Sequence, residues 1–203
     1  MVNSQKEKPT LVLASTSVYR TELLKNAGFI FQNKTPQIDE PALKQQLLNE
    51  KKTAIEIAEE LSKSKARSVF QTGTVVIGGD QLIRFKNEII GKPNTKDNAI
   101  EQLLKMNNQS HELITAVSVM TDQQTFHLNH ITHLQFKNLT KTEIENYIQL
   151  DQPLDCAGSY KIEKSGICLF SKIQTDDFTA IQGLPMIWLS TQLKGLGYEY
   201  FKN

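Results

Sequence analysis

Cysteine and long apolar runs are scarce or missing in this chain, and each absence excludes a class of protein. The two cysteines, Cys156 and Cys168, stand outside any CxxC or Cys/His pattern, so we expect reduced, structural thiols and neither a disulfide nor a zinc site. No apolar run reaches the roughly 18 residues of a membrane span, and the N-terminal MVNSQKEKPT is too polar for a signal peptide. We therefore expect a cytoplasmic protein that does not bind membranes.

An excess of charge of either sign is also missing. The 203 residues carry 23 Lys plus Arg against 22 Asp plus Glu, a formal net charge of +1. Proteins that bind duplex nucleic acid usually carry a surplus of positive charge, so this balance argues against that ligand, and any bound polyanion must be small. The length predicts one domain over residues 1–203, with two lobes around a cleft as an open alternative.

Strand-like and helix-like segments alternate along the chain in an uneven order, which predicts an α/β fold with a mixed sheet flanked by helices. The spacing of apolar residues predicts one long helix over about 43–69. The stretch TVVIGGD predicts a buried strand that breaks at its two glycines, and GICLF predicts a later strand. A hairpin is expected around Lys86 and Asn87.

The segment LVLASTSVYRTELL predicts a strand, a Ser/Thr turn and a helix. The first turn of a helix presents unpaired N–H groups and the positive end of the dipole, which suits a phosphate. Ser15 adds a hydroxyl, Ser17 is the expected N-cap, and Arg20 supplies a two-pronged donor beside the turn. Phosphate binding and plain helix capping explain this segment about equally well.

Asp80 follows the predicted buried strand and Glu40 lies in a Pro-bounded loop beside Asp39. A carboxylate at the carboxyl end of a strand lies where ligands enter open α/β sheets, and it can hold a divalent cation or accept a proton from water. The structural alternatives are an aspartate that caps a turn and a pair of solvated loop acids.

Two lysines could bind a polyphosphate next to these acids. Lys92 stands in the rigid turn Gly91-Lys92-Pro93, where it can reach a phosphate oxygen, and Lys65 lies near the end of the predicted long helix. Each alone is explained as well by a solvated surface. Together with Arg20 and the acids they suit metal-assisted attack on a polyphosphate.

Two other groups of titratable residues favour structural interpretations. His127, His130 and His133 recur every third residue in a strand-like stretch, so His130 should face away from the other two, which argues against a shared metal. Asp176 and Asp177 precede the GLP segment, where turn chemistry accounts for them.

Seven segments in order resemble the Maf family of nucleotide pyrophosphatases. They are LASTSVYRTELL, IDE, LSKSKA, VIGGDQ, IIGKP, DCAGSYKIEKSGICLF and GLP. The sequence after the glycines, together with the DCAGS and GLP regions, resembles the branch that hydrolyses 7-methyl-GTP more than the branch that hydrolyses dTTP and UTP.

The resemblance implies a Maf/ITPase-like mixed α/β fold with a deep cleft, a homodimer, and hydrolysis of a nucleoside triphosphate to its monophosphate and pyrophosphate with a divalent cation such as Mg²⁺ or Mn²⁺. It also implies roles for particular side chains. These are proton acceptance by Asp80, metal binding by Asp80 and Glu40, phosphate binding by Ser15, Arg20, Lys65 and Lys92, and base preference by Tyr19, Gln81 and Glu163.

Two departures from the family pattern affect the same turn and strand. Val18 replaces the usual proline at the start of the helix, and Gly79 replaces serine or alanine before Asp80. Neither removes a presumed catalytic group. The alternatives left open are a pyrophosphatase for dTTP, UTP or a noncanonical purine triphosphate, a non-catalytic nucleotide-binding regulator of cell division, and a purely structural α/β domain.

Overall fold

A mixed β-sheet forms the centre of the protein. The computed structural model describes residues 8–199 and residue 201. Within them the strands are β1 (Thr10–Ala14), β2 (Gln32–Lys34), β3 (Thr74–Phe85), β4 (Glu88–Ile90), β5 (Ser110–Met120), β6 (Thr125–Phe136) and β7 (Phe170–Gln174). The sheet order is β2-β1-β3-β5-β6-β7, with β4 beside β3. Because β1 pairs in parallel with β2 and β3 while the other pairs are antiparallel, the predicted mixed sheet is confirmed.

Helices cover both faces of this sheet. They are α1 (Val18–Asn26), α2 (Glu40–Asn49), α3 (Ala54–Val69), α4 (Lys96–Met106), α5 (Lys141–Asp151), α6 (Phe178–Ile181) and α7 (Met186–Gly195), with short 3-10 turns at Ala157–Ser159 and Ser165–Leu169. Among the residues described, no helix is both long and apolar enough to cross a bilayer.

The alternation of side chains along β1 and β3 divides the core between the two faces. Leu11 and Leu13 pack in one cluster with Leu24 of α1 and Leu189 of α7. Val12 packs on the other face with Ala14, Val76 and Ala66 of α3. A further cluster joins the far end of β3 to α4 and α5. Because successive side chains of a strand point to opposite faces, the sheet packs against a layer of helices on each side.

The predicted single helix over 43–69 is wrong, because two helices occupy this region. α2 ends at Asn49, and Lys51 then takes a left-handed conformation with φ of 59°. Thr53 and Glu56 form a reciprocal capping box that starts α3. A helix cannot continue through that break, although the apolar spacing on its two sides matches one helix.

The expected strand break at the glycines is also wrong. β3 runs unbroken through Gly78, Gly79 and Asp80, so Asp80 lies inside the strand and not at its end. A Cβ at Gly78 would collide with the main-chain carbonyl of Ser62, so glycine here lets α3 approach the strand. The glycines therefore provide close packing and not a chain reversal.

Asp80 nevertheless faces a crevice, because its neighbour β1 ends early. Ala14, the last residue of β1, pairs with Gly78, whereas β4 pairs with β3 only from Ile83 onward. β5 occupies the other side of β3 throughout. Among the described strands, the edge of β3 between these two pairings has no neighbour, and this opening is where the turn after β1 leaves the sheet.

Other predicted elements need smaller corrections. The hairpin around Lys86 is confirmed, and Lys86 has a positive φ of 56°. The predicted strand GICLF is wrong for most of its length, because residues 165–169 form a 3-10 turn and β7 begins only at Phe170. The single-domain organisation, with its possible lobes, stays a prediction.

Candidate active site

The turn after β1 presents hydroxyl and N–H groups to the crevice. Ser17 caps α1, since its hydroxyl accepts a hydrogen bond from the Arg20 N–H at 3.4 Å. The buried Ser15 hydroxyl accepts one from the Ser17 N–H at 3.1 Å. The predicted cap is confirmed, and the same turn lines a cleft. Capping and ligand binding are therefore compatible here.

Arg20 leaves the first turn of α1 and lies against two glycines. Its Nε donates to the carbonyl oxygen of Gly183 at 3.0 Å, and its Nη1 donates to Ser15 Oγ at 3.4 Å. A Cβ built on either Gly79 or Gly183 would come within 3.1 Å of Arg20 Nε. Glycine at both positions thus leaves room for the arginine side chain.

Lys65 joins the two candidate acids. Its Nζ lies 2.6 Å from Asp80 Oδ1 and 2.7 Å from Glu40 Oε2. Lys65 and Asp80 are both buried, whereas the Glu40 side chain is 48% exposed. The three groups therefore form one ion-pair network that reaches from the core to the cleft surface.

The surroundings of these carboxylates shift their pKa values in opposite directions. Burial raises the pKa of the Asp80 carboxyl, and the charge of Lys65 opposes this rise. For Glu40, burial also acts upward, but Lys65, Lys92 and Arg20 together hold its pKa below the usual value. Such a separation is typical of paired acids with different tasks.

Lys92 reaches the cleft from the loop between β4 and α4. It is exposed, and its charge contributes to lowering the pKa of Glu40. The cleft that it lines also holds Ser15, Arg20 and Asp80, so the sequence-predicted basic residues and acids share one opening. Residues far apart in the chain are therefore brought to one polar end, which we call the phosphate end.

Tyr19, Gln81 and Glu163 line the same cleft. Burial, followed by the nearby charge of Glu163, raises the pKa of Tyr19, and burial raises the pKa of Glu163. Gln81 donates through Nε2 to the main-chain oxygens of Ala180 and Ile181, at 3.1 and 3.0 Å. Tyr19 and Glu163 thus share one region, whereas the Gln81 amide nitrogen is committed to a main-chain contact.

The cleft has a volume of about 690 Å³, and all nine sequence-predicted site residues line it. Tyr19 and Glu163 line the cleft together with further side chains to which the sequence analysis gave no site role. We call this region the base end. The additional residues are Leu113, Asp155, Cys156, Tyr160 and Ile162. Most of them fall in the segment DCAGSYKIE. In the sequence analysis this segment is a family motif, and no role is assigned to these residues.

The strand alternation places the three histidines as predicted, and Asp177 has the turn role expected of it. His127 lies near Glu59 and Ser118, His133 near Glu112, and His130 on the opposite side near Thr175. Cys156 and Cys168 are free thiols. Asp177 caps α6 by accepting from the Thr179 N–H at 2.9 Å.

The protein side chains at the phosphate end fit a cation shared with a substrate. Within residues 8–199, no cluster of three or more His, Cys, Asp or Glu suits a metal ion. Among the described residues, the buried Asp80 Oδ2 has no hydrogen-bond partner, and Glu40 pairs with Lys65 as Asp80 does. A hard cation such as Mg²⁺ is commonly held by one or two carboxylates plus substrate phosphates, which these two acids satisfy.

Comparison with known proteins places the chain in a family. The family model described as Maf-like protein matches residues 10–196. The chain belongs to the Maf family. It is 47% identical over 189 residues to a 7-methyl-GTP pyrophosphatase of Bdellovibrio bacteriovorus, covering 91% of this chain and 95% of the relative.

Other Maf relatives are similar over nearly their whole length. A protein of Polaromonas sp. is 40% identical, with 95% of this chain and 87% of the relative covered, and one of Xanthomonas oryzae pv. oryzae is 37% identical, with 94% and 98% covered. Both carry the name 7-methyl-GTP pyrophosphatase. Among solved structures, the Staphylococcus aureus Ham1 protein aligns with a TM-score of 0.48 at 14% identity, over 92% of this chain and 98% of that one.

Proposed function

We propose that this protein hydrolyses the α–β phosphoanhydride bond of 7-methyl-GTP, giving 7-methyl-GMP and pyrophosphate. The observation that carries the proposal is a single cleft lined by cations and acids and also by the Tyr19 ring and the Glu163 carboxylate. The names of the similar Maf proteins from Bdellovibrio, Xanthomonas and Polaromonas support the same substrate.

The phosphate end would bind the triphosphate through positive charge and hydroxyl groups. Arg20 offers Nη donors beside the Ser15 turn, while Lys65 and Lys92 balance the charge of the phosphate oxygens. Asp80 and Glu40 would hold a divalent cation, Mg²⁺ or Mn²⁺, which supplies further neutralisation of the phosphate oxygens when bound.

Asp80 is the proposed proton acceptor. Its unpartnered Oδ2 takes a proton from a water molecule whose oxygen forms a bond to the α-phosphorus. The bond between that phosphorus and the α–β bridging oxygen breaks, and pyrophosphate leaves with the electron pair. Burial raises the pKa of Asp80, which makes the carboxylate a better base than a solvated aspartate.

The base end would distinguish a methylated guanine by its charge. N7-methylation makes guanine cationic, and a cationic ring is attracted to the face of Tyr19 and to the carboxylate of Glu163. Both residues line the same cleft, and the charge of Glu163 contributes to the raised pKa of Tyr19. Gln81 stays a predicted specificity residue, acting through the main chain that it contacts.

Three further expectations belong to this proposal. We infer a homodimer from the family resemblance, a cytoplasmic location, and no binding of duplex nucleic acid or membranes. The near balance of charge supports a small ligand. Light scattering of the purified protein measures the oligomeric state.

A triphosphate panel tests the function. Purified protein with Mg²⁺ or Mn²⁺ is given 7-methyl-GTP, GTP, dTTP, UTP and inosine triphosphate, and pyrophosphate and monophosphate are quantified. We expect the highest kcat/KM with 7-methyl-GTP. Preference for dTTP or UTP would overturn the substrate assignment. Saturable binding without pyrophosphate release would instead support a non-catalytic regulator.

A further inference from the structure

The chain between α6 and α7, residues 182–185, is held rigidly from its own two ends. We call it the GLP connector. Asp177 accepts a hydrogen bond from the Thr179 N–H through Oδ1, at 2.9 Å, and one from the Ile187 N–H through Oδ2, at 2.7 Å. Thr179 Oγ1 accepts from the Met186 N–H at 2.9 Å. One aspartate and one threonine therefore cap both helices and fix the distance between them.

Side chains of the sheet also bind the main chain of α6, just before the GLP connector. Gln81 of β3 donates to the main-chain oxygens of Ala180 and Ile181, and Thr115 Oγ1 of β5 donates to Ala180 at 2.9 Å. Leu184 is fully buried in the core beside α7. The GLP connector thus has little freedom to move relative to β3, the strand that carries Asp80.

The rigid connector delivers one main-chain oxygen to Arg20. Gly183 lies 163 residues from Arg20 in sequence, and its carbonyl accepts from Arg20 Nε at 3.0 Å. Because the guanidinium group is planar, the hydrogen bond from Nε to the Gly183 carbonyl restricts the directions in which its two Nη groups can point. Nη1 meets Ser15 Oγ at 3.4 Å, so the terminal amines lie toward the phosphate end.

A residue other than glycine would be strained at this position, and its Cβ would press on the arginine side chain. Gly183 has φ of 119°, which L-residues with a side chain rarely adopt. An added Cβ would lie 3.1 Å from both Cγ and Nε of Arg20. A Cβ added at Gly79 would also lie 3.1 Å from Arg20 Nε.

We propose that Gly183 is a positioning residue that sets the direction in which Arg20 presents its guanidinium to the substrate phosphates. It acts through Arg20, since its own N–H is already donated to the Ala180 carbonyl oxygen at 3.0 Å. The inference rests on the proposed function in one respect, namely that the phosphate end binds a polyphosphate.

A double-mutant cycle tests the inference. Inorganic tripolyphosphate is titrated into the wild type, Gly183→Ala, Arg20→Ala and the double variant by calorimetry. Gly183→Ala should weaken binding roughly tenfold in the presence of Arg20, the size expected for one charge-assisted hydrogen bond, and less than twofold once Arg20 is replaced. A merely structural role would weaken both backgrounds equally.

Gly197→Ala is the matched control. Gly197 also has a positive φ, 85°, but an added Cβ would meet no atom of the described residues within 4 Å. It therefore carries the backbone strain without the contact, and tripolyphosphate binding should stay within twofold of wild type. A tenfold loss in Gly197→Ala would overturn the inference, since strain alone would then explain the Gly183 result.

A second variant covers the case in which Gly183→Ala does not fold. Asp177→Asn keeps the Oδ1 cap of α6 but places an N–H₂ where Oδ2 accepts from Ile187, which loosens the GLP connector. It should weaken binding with Arg20 present and not without it. Equal losses in both backgrounds would overturn the inference alone, whereas a wild type that does not bind tripolyphosphate would overturn the proposed function as well.

Discussion

The two ends of the cleft are built differently. At the phosphate end, Asp80 and Lys65 project from the regular elements β3 and α3 and bind one another directly. At the base end, Glu163 follows a segment of turns in which Gly158 and Ser159 have positive φ values. The charged machinery is thus held by its own mutual contacts, whereas the base end depends on what packs behind it.

Buried aromatic and polar groups supply that support. Tyr160 lines the cleft, and its hydroxyl lies 3.0 Å from Nε2 of the buried His111. The Tyr147 hydroxyl accepts from the Lys161 N–H at 2.9 Å. Changes at the phosphate end should therefore affect the chemistry, and changes behind the base end should affect stability and substrate choice.

The largest effect is expected for Asp80→Asn. Loss of the proposed proton acceptor should lower kcat for pyrophosphate release by roughly a thousandfold, within the range for a general base, while the fold persists. Steady-state kinetics with circular dichroism measure both quantities. Asp176→Asn, an exposed acid outside the cleft, should keep wild-type rates. Normal turnover by Asp80→Asn would remove the assigned role.

The next effect concerns His111, behind the base end. Burial lowers its pKa to about 4. Between pH 6.5 and 4 the unfolded chain therefore binds a proton that the folded protein does not, so stability falls as pH falls through this window. The full loss is roughly 3 kcal/mol for a shift of this size.

Urea unfolding from pH 7 to pH 4 measures this loss. His111→Gln removes the titration and should give a flatter curve of unfolding free energy against pH. His133→Gln, which replaces an exposed histidine, should keep the wild-type slope. Parallel curves for the wild type and His111→Gln would show that His111 is not the source of the acid sensitivity.

A smaller effect, on selectivity, is expected for Glu163→Gln. Removing the carboxylate proposed to face the cationic base should reduce the preference for 7-methyl-GTP over GTP roughly tenfold in kcat/KM, equivalent to about 1.4 kcal/mol. Asp155→Asn is the comparison, because that carboxylate is already paired with Lys161 at 3.0 Å. An unchanged preference in Glu163→Gln would place base recognition elsewhere in the cleft.

Features that depend on sequence neighbours could be predicted from the sequence, whereas features that depend on contacts between distant segments could not. The Ser17 cap depends on neighbours a few residues away, so it could be read locally. The break between α2 and α3 was also readable, since Thr53 and Glu56 have capping-box spacing, but apolar periodicity outweighed that signal. The opening beside Asp80 could not be predicted, because it depends on where β1 stops pairing with β3. The Gly183 contact with Arg20 likewise exists only after distant segments pack.

The smallest effect is expected for Lys92→Gln, which separates exposed from buried charge within the phosphate end. Lys92 is exposed, whereas the Lys65 side chain is only 10% exposed. Salt screens interactions between exposed charges, largely so beyond a Debye length of about 8 Å at physiological ionic strength. Lys92→Gln should therefore raise KM only about fivefold at low salt, and the difference from wild type should shrink as salt is added. Lys96→Gln, an exposed lysine outside the cleft, serves as the control for general charge effects. A KM difference that persists unchanged at high salt would mean that Lys92 contacts the phosphates in a desolvated site. Exposed and buried charges at the phosphate end would then act in the same way.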